Sequence, residues 1–401
     1  MIKKEENETF KAAITTELGC VEFLKEELNK RFKVDSIEGE NWVSVNSSIE
    51  KIAEIMYMSQ LAKRVVLLIG EGTFSDIVDL QENTKKSMEN STLLNLIDGK
   101  TTRITCDRTG SHDFNSLDAE QAVMLSLKED MKNRKKEITL NLNNPEVIIY
   151  LRIVENKYLL GLDVAGRELS KRQHLVFNNA SAIKGTIGFA ALMCANYKPG
   201  QLILDPFSLS GNIMLEAALY ESNTPVNFYT KKFTLFELKE FKDMVDGTFV
   251  KIDSKIKSPP SKPNIISSDA SFNNISAQKK NAKIAGIDKF IACSRTDVHN
   301  LDIKTFVDRL DVVCARLPEL SNNLRENQVR NIYSTMFKNL KYIIKKKSTL
   351  VFIVRNPEIL EHEAEKEGFK EECLKQVWQG QQPFFLVKFT PTKIDSYDKN
   401  N

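Results

Sequence analysis

Apolar positions in the first 70 residues follow strand and helix periodicity in turn. Residues 10–14, 42–45 and 64–69 (RVVLLI) are short apolar runs that predict strands, and the segments between them carry apolar residues at helical spacing. A β-α-β-α-β order of this kind predicts a small α+β unit of the ferredoxin-like type.

Residues 70–165 predict a second α+β unit. Its helix is expected over residues 116–130, where apolar side chains recur at helical spacing. Its strands are expected at residues 101–106, 138–142, 147–154 and 158–163.

The pattern changes after residue 165. Short, almost wholly apolar strands are predicted at residues 202–205, 264–267, 290–293, 311–314 and 350–354. Helices predicted at residues 180–195, 213–221, 273–285 and 324–344 separate them. Strands that are apolar throughout and alternate with helices indicate a parallel sheet covered on both faces. We therefore predict an open, doubly wound α/β domain, with an antiparallel edge from residues 370–390.

An insertion separates the first two strands of this α/β domain. Residues 222–262 hold eight lysines against five acidic residues and end in SPPSKP. Proline and serine at that end predict a loop. We expect an exposed insertion with solvated lysines rather than a dedicated binding surface.

Composition and charge narrow the class of protein. The 401 residues are 41% hydrophobic and 28% charged, which is typical of a soluble globular chain, and the net charge of +3 neither requires nor excludes a nucleic-acid partner. Six scattered cysteines and four histidines show no metal-ligand spacing, so we expect reduced cysteines, no metal site and a cytoplasmic location. The start, MIKKEENETF, has no apolar stretch of a signal peptide, and no segment is long and apolar enough to span a membrane.

Acidic residues follow three successive strands of the predicted sheet. Asp205 precedes a turn containing Ser210 and Gly211 and then a helix, Asp269 ends the second strand, and Asp297 follows the third. Such a turn can bind a polar ligand through backbone N–H groups, and an acid after the second strand can accept from ribose hydroxyls. Acids in these loops are also common as helix N-caps, so each alone is uninformative. Together they favour a nucleoside-type cofactor.

Several motifs in order resemble one enzyme family. DPFSLSGNIMLEAAL is similar to DPFCGSGT…EAAL of the S-adenosylmethionine-dependent, THUMP-bearing RNA guanosine-N2 methyltransferases. SSDASFNNISAQKKNAKIAG, GRELSKRQH with SAIKGT, and RITCDRTGSHDFNSLDAE resemble further segments of that family. The resemblance covers roughly residues 8–390 and implies an N-terminal ferredoxin-like domain (1–69), a THUMP RNA-binding domain (70–165) and a Rossmann-like methyltransferase domain (166–401). It also implies S-adenosylmethionine as cofactor and RNA as partner.

Two positions depart from the family pattern. Leu209 replaces a glycine of the cofactor turn, and a leucine held at positive φ costs roughly 1–2 kcal/mol. The Asn-Pro-Pro-Tyr tetrad that holds the base amine is replaced by Arg316-Leu317-Pro318-Glu319. Arg316 has no acceptor, whereas the Leu317 carbonyl and the Glu319 carboxylate could accept from the amine. We therefore place Arg316, Pro318 and Glu319 at the catalytic positions, with a loop that is no longer catalytic as the alternative.

Basic residues near the THUMP-like motif are the predicted RNA contacts. Arg108 and His112, with Lys171 and Arg172 from SKRQH, would neutralise phosphates without discriminating between sequences. The predicted function is methyl transfer to guanosine N2 of tRNA or, second, of ribosomal RNA. The alternative is a catalytically inactive relative that binds RNA or a protein partner. A DNA amino-methyltransferase is disfavoured by the THUMP-like segment.

Overall fold

The computed structural model describes residues 8–301, 309–322 and 324–392, which form two compact units. The first unit contains Leu24–Leu169, Thr230–Ile252 and the described part of Met1–Thr16. The second contains Glu17–Phe23, Ser170–Tyr229 and the described part of Asp253–Asn401.

One mixed sheet of eight strands forms the first unit. Its strands are β1 (Phe10–Thr15), β2 (Ser36–Glu38), β3 (Trp42–Ser47), β4 (Arg64–Thr73), β5 (Thr101–Thr109), β6 (Thr139–Leu140), β7 (Val147–Val154) and β8 (Lys157–Asp163). Their order is β2-β3-β1-β4-β8-β7-β5-β6, and β4 pairs antiparallel with β8. The predicted strands are therefore present, but the sheet continues across the predicted boundary at residue 69, which lies within β4.

Helices pack on both sheets. Those in the described part of the chain are α1 (Val21–Glu27), α2 (Ile49–Met58), α3 (Ile77–Glu89), α4 (Ser116–Asn133), α5 (Gly185–Cys194), α6 (Asn212–Ser222), α7 (Lys239–Val245), α8 (Thr248–Asp253), α9 (Phe272–Ile284), α10 (Glu326–Ile343) and α11 (Glu358–Lys366). The helix predicted over residues 17–30 is shorter than expected, because its last turn is a π-helix at Leu28–Phe32 that ends at Lys33.

The second unit contains the predicted doubly wound sheet. Its strands are β9 (Ile203–Asp205), β10 (Ile265–Asp269), β11 (Ile291–Arg295), β12 (Leu310–Arg316), β13 (Ile344–Val354), β14 (Phe369–Gln379) and β15 (Gln382–Pro391). They lie in the order β11-β10-β9-β12-β13-β15-β14. Strands β9 to β13 are parallel, and β14 and β15 form the expected antiparallel edge. The order reverses at β9, where ligands bind in folds of this type.

The insertion differs from the prediction. Residues 230–252 belong to the first unit, and they bury apolar side chains rather than presenting only lysines to solvent. The Phe249 ring stacks on Tyr57 of α2 with 4.2 Å between centroids, and Phe241 contacts Phe10 edge-on at 5.1 Å. The lysine count hid this role, since Phe233, Phe241 and Phe249 are spaced to form an apolar face.

None of the helices described has the length and apolarity required to cross a membrane. Over residues 8–301, 309–322 and 324–392, no three His, Cys, Asp or Glu side chains are grouped so that they could hold a metal ion.

Candidate cofactor and catalytic site

Two carboxyl groups lie at the ends of adjacent parallel strands. Asp205 ends β9, where its partner on β10 is Ser267, and Asp269 follows two residues later. The Asp205 carboxyl is buried and accepts one hydrogen bond, from the Phe207 N–H at 2.9 Å. Burial raises the pKa of Asp205 well above its ordinary value, and the charge of Asp269 raises it further.

Asp269 orders the turn that follows β9. Its Oδ2 accepts from the backbone N–H of Leu209 at 2.9 Å, while Oδ1 accepts from the Ser271 N–H at 2.8 Å and from Asn274 Nδ2 at 3.0 Å. Each carboxylate oxygen has two lone pairs, so Oδ2 can accept one more donor. The predicted ribose ligand therefore has an acceptor at this strand end.

Leu209 adopts the backbone conformation that a glycine would take without strain. Its φ is 49°, in the left-handed region. The expected conformational cost at this position is thus present in the folded chain. The Asp269 carboxylate holds the strained residue in place through its backbone N–H.

Ser210 and Gly211 shape the turn in different ways. Gly211 has a φ of 86° and precedes α6, and a Cβ built on it would lie 2.4 Å from Cγ of Gln278, so only glycine fits. Ser210 is fully buried, with its Oγ 2.9 Å from Asn178 Oδ1 and 2.8 Å from Asn212 Oδ1. The Ser210 hydroxyl belongs to an internal network, and the prediction that Ser210 binds a cofactor stays a prediction.

Asp297 lies beyond the next strand along the same edge. It follows β11, and its Oδ1 accepts from the His299 N–H at 2.9 Å and lies 2.6 Å from His299 Nδ1. The hydrogen bonds from the His299 backbone and side chain lower the pKa of Asp297. This carboxylate thus caps the short helix Val298–Asn300. That is the alternative role, a helix N-cap, which the sequence left open for acids in these loops.

A small cavity opens between the turn and β12. It has a volume of about 10 Å³, the space of about one water molecule. Its walls are Ala182, Ile183, Asp205, Phe207, Ser208, Leu209, Asn212, Ile213 and Arg316. Pockets for drug-sized ligands have roughly 300–1,000 Å³. The cavity therefore has room for about one water molecule, and a nucleoside-type cofactor would enter it only if Leu209 or Arg316 moved.

The donor set of this cavity fits a cationic ligand. Across residues 8–301, 309–322 and 324–392, no Lys, Arg or His side chain pairs with the Asp205 carboxyl. A buried carboxyl without a cation is unfavourable, and a bound ammonium or sulfonium would relieve it. The methionine part of S-adenosylmethionine carries both charges.

Arg316 ends β12 with its side chain turned into the protein. Its guanidinium donates to the carbonyls of Leu317 at 2.8 Å and Ile353 at 3.1 Å, and it lies 5.0 Å from the ring centroid of Phe384. It also pairs with the Glu319 carboxylate. The Leu317 carbonyl, which we expected to accept from a base amine, thus already accepts from Arg316.

Glu319 is held on all sides by the chain. Besides Arg316, it accepts from Arg355 Nε at 3.1 Å, from the Arg355 N–H and from the Asn356 N–H at 3.3 Å. Its side chain is 11% exposed. For Glu319 to accept from a base amine, as the sequence suggested, one of these donors must leave.

Pro318 is fixed by the helix that follows the loop. Its carbonyl accepts from the Tyr333 hydroxyl of α10 at 2.7 Å. Tyr333 is buried, and this burial raises its pKa, so the hydroxyl keeps its proton. The four residues from Arg316 to Glu319 therefore form a closed set of contacts with β13 and α10.

The predicted RNA contacts differ in exposure. Arg108 Nη1 donates to His112 Nδ1 at 2.7 Å, and His112 Nε2 lies 2.7 Å from the Glu155 carbonyl oxygen. Lys171 is exposed. Arg172 is buried, with Nε 2.8 Å from Glu216 Oε1, which contradicts the prediction that it contacts RNA.

Several residues that organise the site carry no motif. Gln278 contacts the hydroxyls of Ser208 and Ser267, and Asn281 Nδ2 donates to the Phe177 carbonyl. Arg355 and Asn356 bind Glu319 from the end of β13. Arg355 and Asn356 form a polar pair directly after the apolar end of β13. That pattern in the sequence indicates a role at the strand end, but we did not predict one for them.

Comparison with known families agrees with this architecture. The model of the RMKL-like methyltransferase domain family matches residues 172–382, and the THUMP domain model matches residues 74–163. The crystal structure of SMU.472, described as a methyltransferase complexed with SAH, has a TM-score of 0.80 at 17% identity and covers 97% of this chain and 100% of its own. The predicted Rossmann-like fold is confirmed.

Two curated relatives extend over most of the chain. The tRNA (guanine(6)-N2)-methyltransferase of Methanocaldococcus jannaschii is 25% identical over 346 residues, which is 83% of this chain and 87% of the relative. The ribosomal RNA large subunit methyltransferase K/L of Buchnera aphidicola is 25% identical over 383 residues, 90% of this chain and 52% of the relative, so the chain spans about half of that protein. The chain belongs to the family of RMKL-like methyltransferase domains and carries a THUMP domain beside it.

Proposed function

We propose that this chain is an S-adenosylmethionine-dependent methyltransferase that acts on the N2 amine of guanosine in tRNA. Asp205 carries the proposal, because it is a buried carboxyl without a cationic partner at the carboxyl edge of the sheet, next to Asp269. The family, the THUMP domain and the M. jannaschii relative's name support RNA and guanine N2 as the substrate. The cytoplasm is the proposed location.

The chain's own residues would hold the cofactor in three places. Asp269 would accept from ribose hydroxyls, Asp205 would face the positive charge, and the turn before α6 would line the remainder. The bound cofactor would supply an electrophilic methyl group on sulfur. Burial of the reacting amine next to Arg316 would exclude water from the transfer.

The proposal is tested by binding and transfer with one matched control. Asp269→Ala should abolish S-adenosylmethionine binding in a calorimetric titration, together with label transfer to bulk tRNA. Asp288→Ala removes an exposed acid that precedes β11, at the N-terminal end of that strand. It should leave both S-adenosylmethionine binding and label transfer unchanged. Unaltered binding by Asp269→Ala would refute the assigned site.

A second function is favoured by the closed loop at the catalytic position. The pairing of Arg316 with Glu319 and the strained Leu209 at the cavity favour a non-catalytic relative that binds RNA or a protein partner. Restoring the family tetrad with Arg316→Asn, Leu317→Pro and Glu319→Tyr separates the two functions. If the original chain transfers methyl groups and the restored tetrad does not increase that activity, the result supports an enzyme that uses its own loop. If methyl transfer appears only after restoration, the result supports the non-catalytic relative.

A further inference from the structure

A basic groove lies at the C-terminal end of α4 in the first unit. It has a volume of about 590 Å³. Its walls are Lys128, Met131, Lys132, Lys135, Lys136, Glu137, Ile138 and Thr139. Four lysines therefore share one concave surface with a single acid, and none of them belongs to the RNA contacts predicted from the motifs.

Among the described residues, the neighbouring acids leave three of these lysines unneutralised, since only Lys136 has an acidic partner, Asp98 at 3.7 Å. Asp130 pairs with Arg134 at 2.6 Å, and Glu129 pairs with Lys85 at 2.6 Å. Lys128, Lys132 and Lys135 are exposed and have no side-chain partner within the described residues. Like charges gathered without counter-charges repel one another, and such a surface attracts a polyanion.

Backbone groups, rather than the lysine side chains, cap the end of α4. Lys136 N–H donates to the Met131 carbonyl at 2.9 Å and Lys135 N–H donates to the Lys132 carbonyl at 3.0 Å, so backbone groups already cap the helix. Lys135 has a φ of 60°, at a position where glycine is favoured. Lys33 has a similar φ of 58° at the end of another helix, so this conformation alone assigns no role to the Lys135 side chain.

We propose that this groove binds the phosphate backbone of the RNA substrate through Lys128, Lys132 and Lys135. The proposal rests on the RNA substrate proposed above. Lys128 to Lys135 span about 10 Å along the helix axis, a length that covers two or three consecutive phosphates. Met131 and Ile138 give the groove an apolar wall against which a ribose can pack. The groove therefore positions RNA and selects no sequence.

The first test measures binding of labelled bulk tRNA by anisotropy between 50 and 200 mM salt. Exchanging all three lysines for glutamine should weaken binding about tenfold or more at the lower salt and reduce the slope of log K against log salt by about 2. The control Lys33→Gln, Lys346→Gln, Lys347→Gln removes three exposed lysines outside the groove and should keep the slope. An unchanged slope for the groove variant overturns the proposal.

The second test separates charge from folding. Lys135→Gly removes the strain together with the charge, so it should weaken tRNA binding without lowering the melting temperature. Lys33→Gly is matched to it, because Lys33 is an exposed lysine with a φ of 58° at the end of another helix, and it should leave tRNA binding unchanged. Equal binding loss in both variants, or wild-type binding of poly-L-glutamate as tight as that of tRNA, would overturn the assignment to RNA.

The outcomes also separate the groove from the proposed activity. If no methyl transfer occurs but the groove variant loses tRNA binding, the proposed RNA-binding groove is supported and the proposed methyltransferase activity is contradicted. If methyl transfer occurs and the groove variant binds tRNA as tightly as the original chain does, the proposed activity is supported and the proposed RNA-binding groove is contradicted.

Discussion

Arg172 and Glu216 form a buried ion pair in which each side chain is 1% exposed. The pair joins the segment before α5 to α6, and Glu216 also fills the space next to Gly185, where a Cβ would lie 2.1 Å from Glu216 Oε1. A cation that the sequence assigned to RNA thus stabilises the second unit instead. Removing one partner of a buried pair leaves the other charge uncompensated.

We therefore expect Arg172→Ala to lower the free energy of unfolding by about 3–5 kcal/mol. The neighbouring exposed Lys171 provides the matched control, and Lys171→Ala should change stability by less than about 0.5 kcal/mol. Urea unfolding monitored by circular dichroism measures both. Equal stability of the two variants would show that the ion pair contributes little.

His174 should make stability depend on pH. Burial lowers its pKa to about 4, with the Glu216 carboxylate opposing and the Arg172 guanidinium adding to this shift. The unfolded chain takes up a proton near the ordinary pKa of 6.5, so the stabilisation is complete above pH 6.5 and is lost as pH falls toward 4. The loss is on the order of 3 kcal/mol.

His174→Gln should flatten the pH dependence of the unfolding free energy between pH 4 and 6.5 relative to the original chain. His362→Gln, at an exposed histidine of α11, should leave the curve unchanged. A His174→Gln curve parallel to that of the original chain would contradict the assignment of this dependence to His174.

Leu209 should restrict the cofactor cavity. Leu209→Ala and Leu209→Gly both shorten the side chain that lines it and keep the backbone N–H bonded to Asp269, so both should bind S-adenosylmethionine several-fold more tightly. Only glycine also relieves the positive φ, so the glycine variant should be about 1 kcal/mol more stable than the alanine variant. Titration calorimetry measures the affinity and thermal unfolding measures the stability. Unchanged affinity for S-adenosylmethionine in both variants would show that the Leu209 side chain does not restrict the cavity.

Glu319 should matter more for stability than its partner Arg355. Glu319→Gln turns an acceptor that receives four donor groups into an amide with one acceptor oxygen, and should lower stability by about 2–4 kcal/mol. Arg355→Gln removes a side chain that is 53% exposed and should lower it by less than about 1 kcal/mol. If Arg355→Gln lowers stability more than Glu319→Gln in urea unfolding, the exposed Arg355 side chain rather than Glu319 stabilises the loop.

The sequence was a good guide where one periodicity dominates. Strands β9 and β12 and residues 350–354 of β13 are buried on both faces, so the parallel arrangement was predictable, and Asp205 and Asp269 were placed correctly at the strand ends. Arg172 was misassigned because burial of a cation depends on Glu216, which is 44 residues away in the chain. The aromatic residues of 230–252 were missed for the same reason, since their packing partners lie near the other end of the chain.

The pairing of β4 with β8 has a consequence for dissecting this protein. A fragment that begins at residue 70 would keep β8 but lose three of the seven positions at which β4 pairs with it, from Val66↔Asp163 to Leu68↔Gly161. The exposed N–H and C=O groups of β8 would then be available to another copy, which favours aggregation. The first unit is therefore best expressed with β1 to β4 intact.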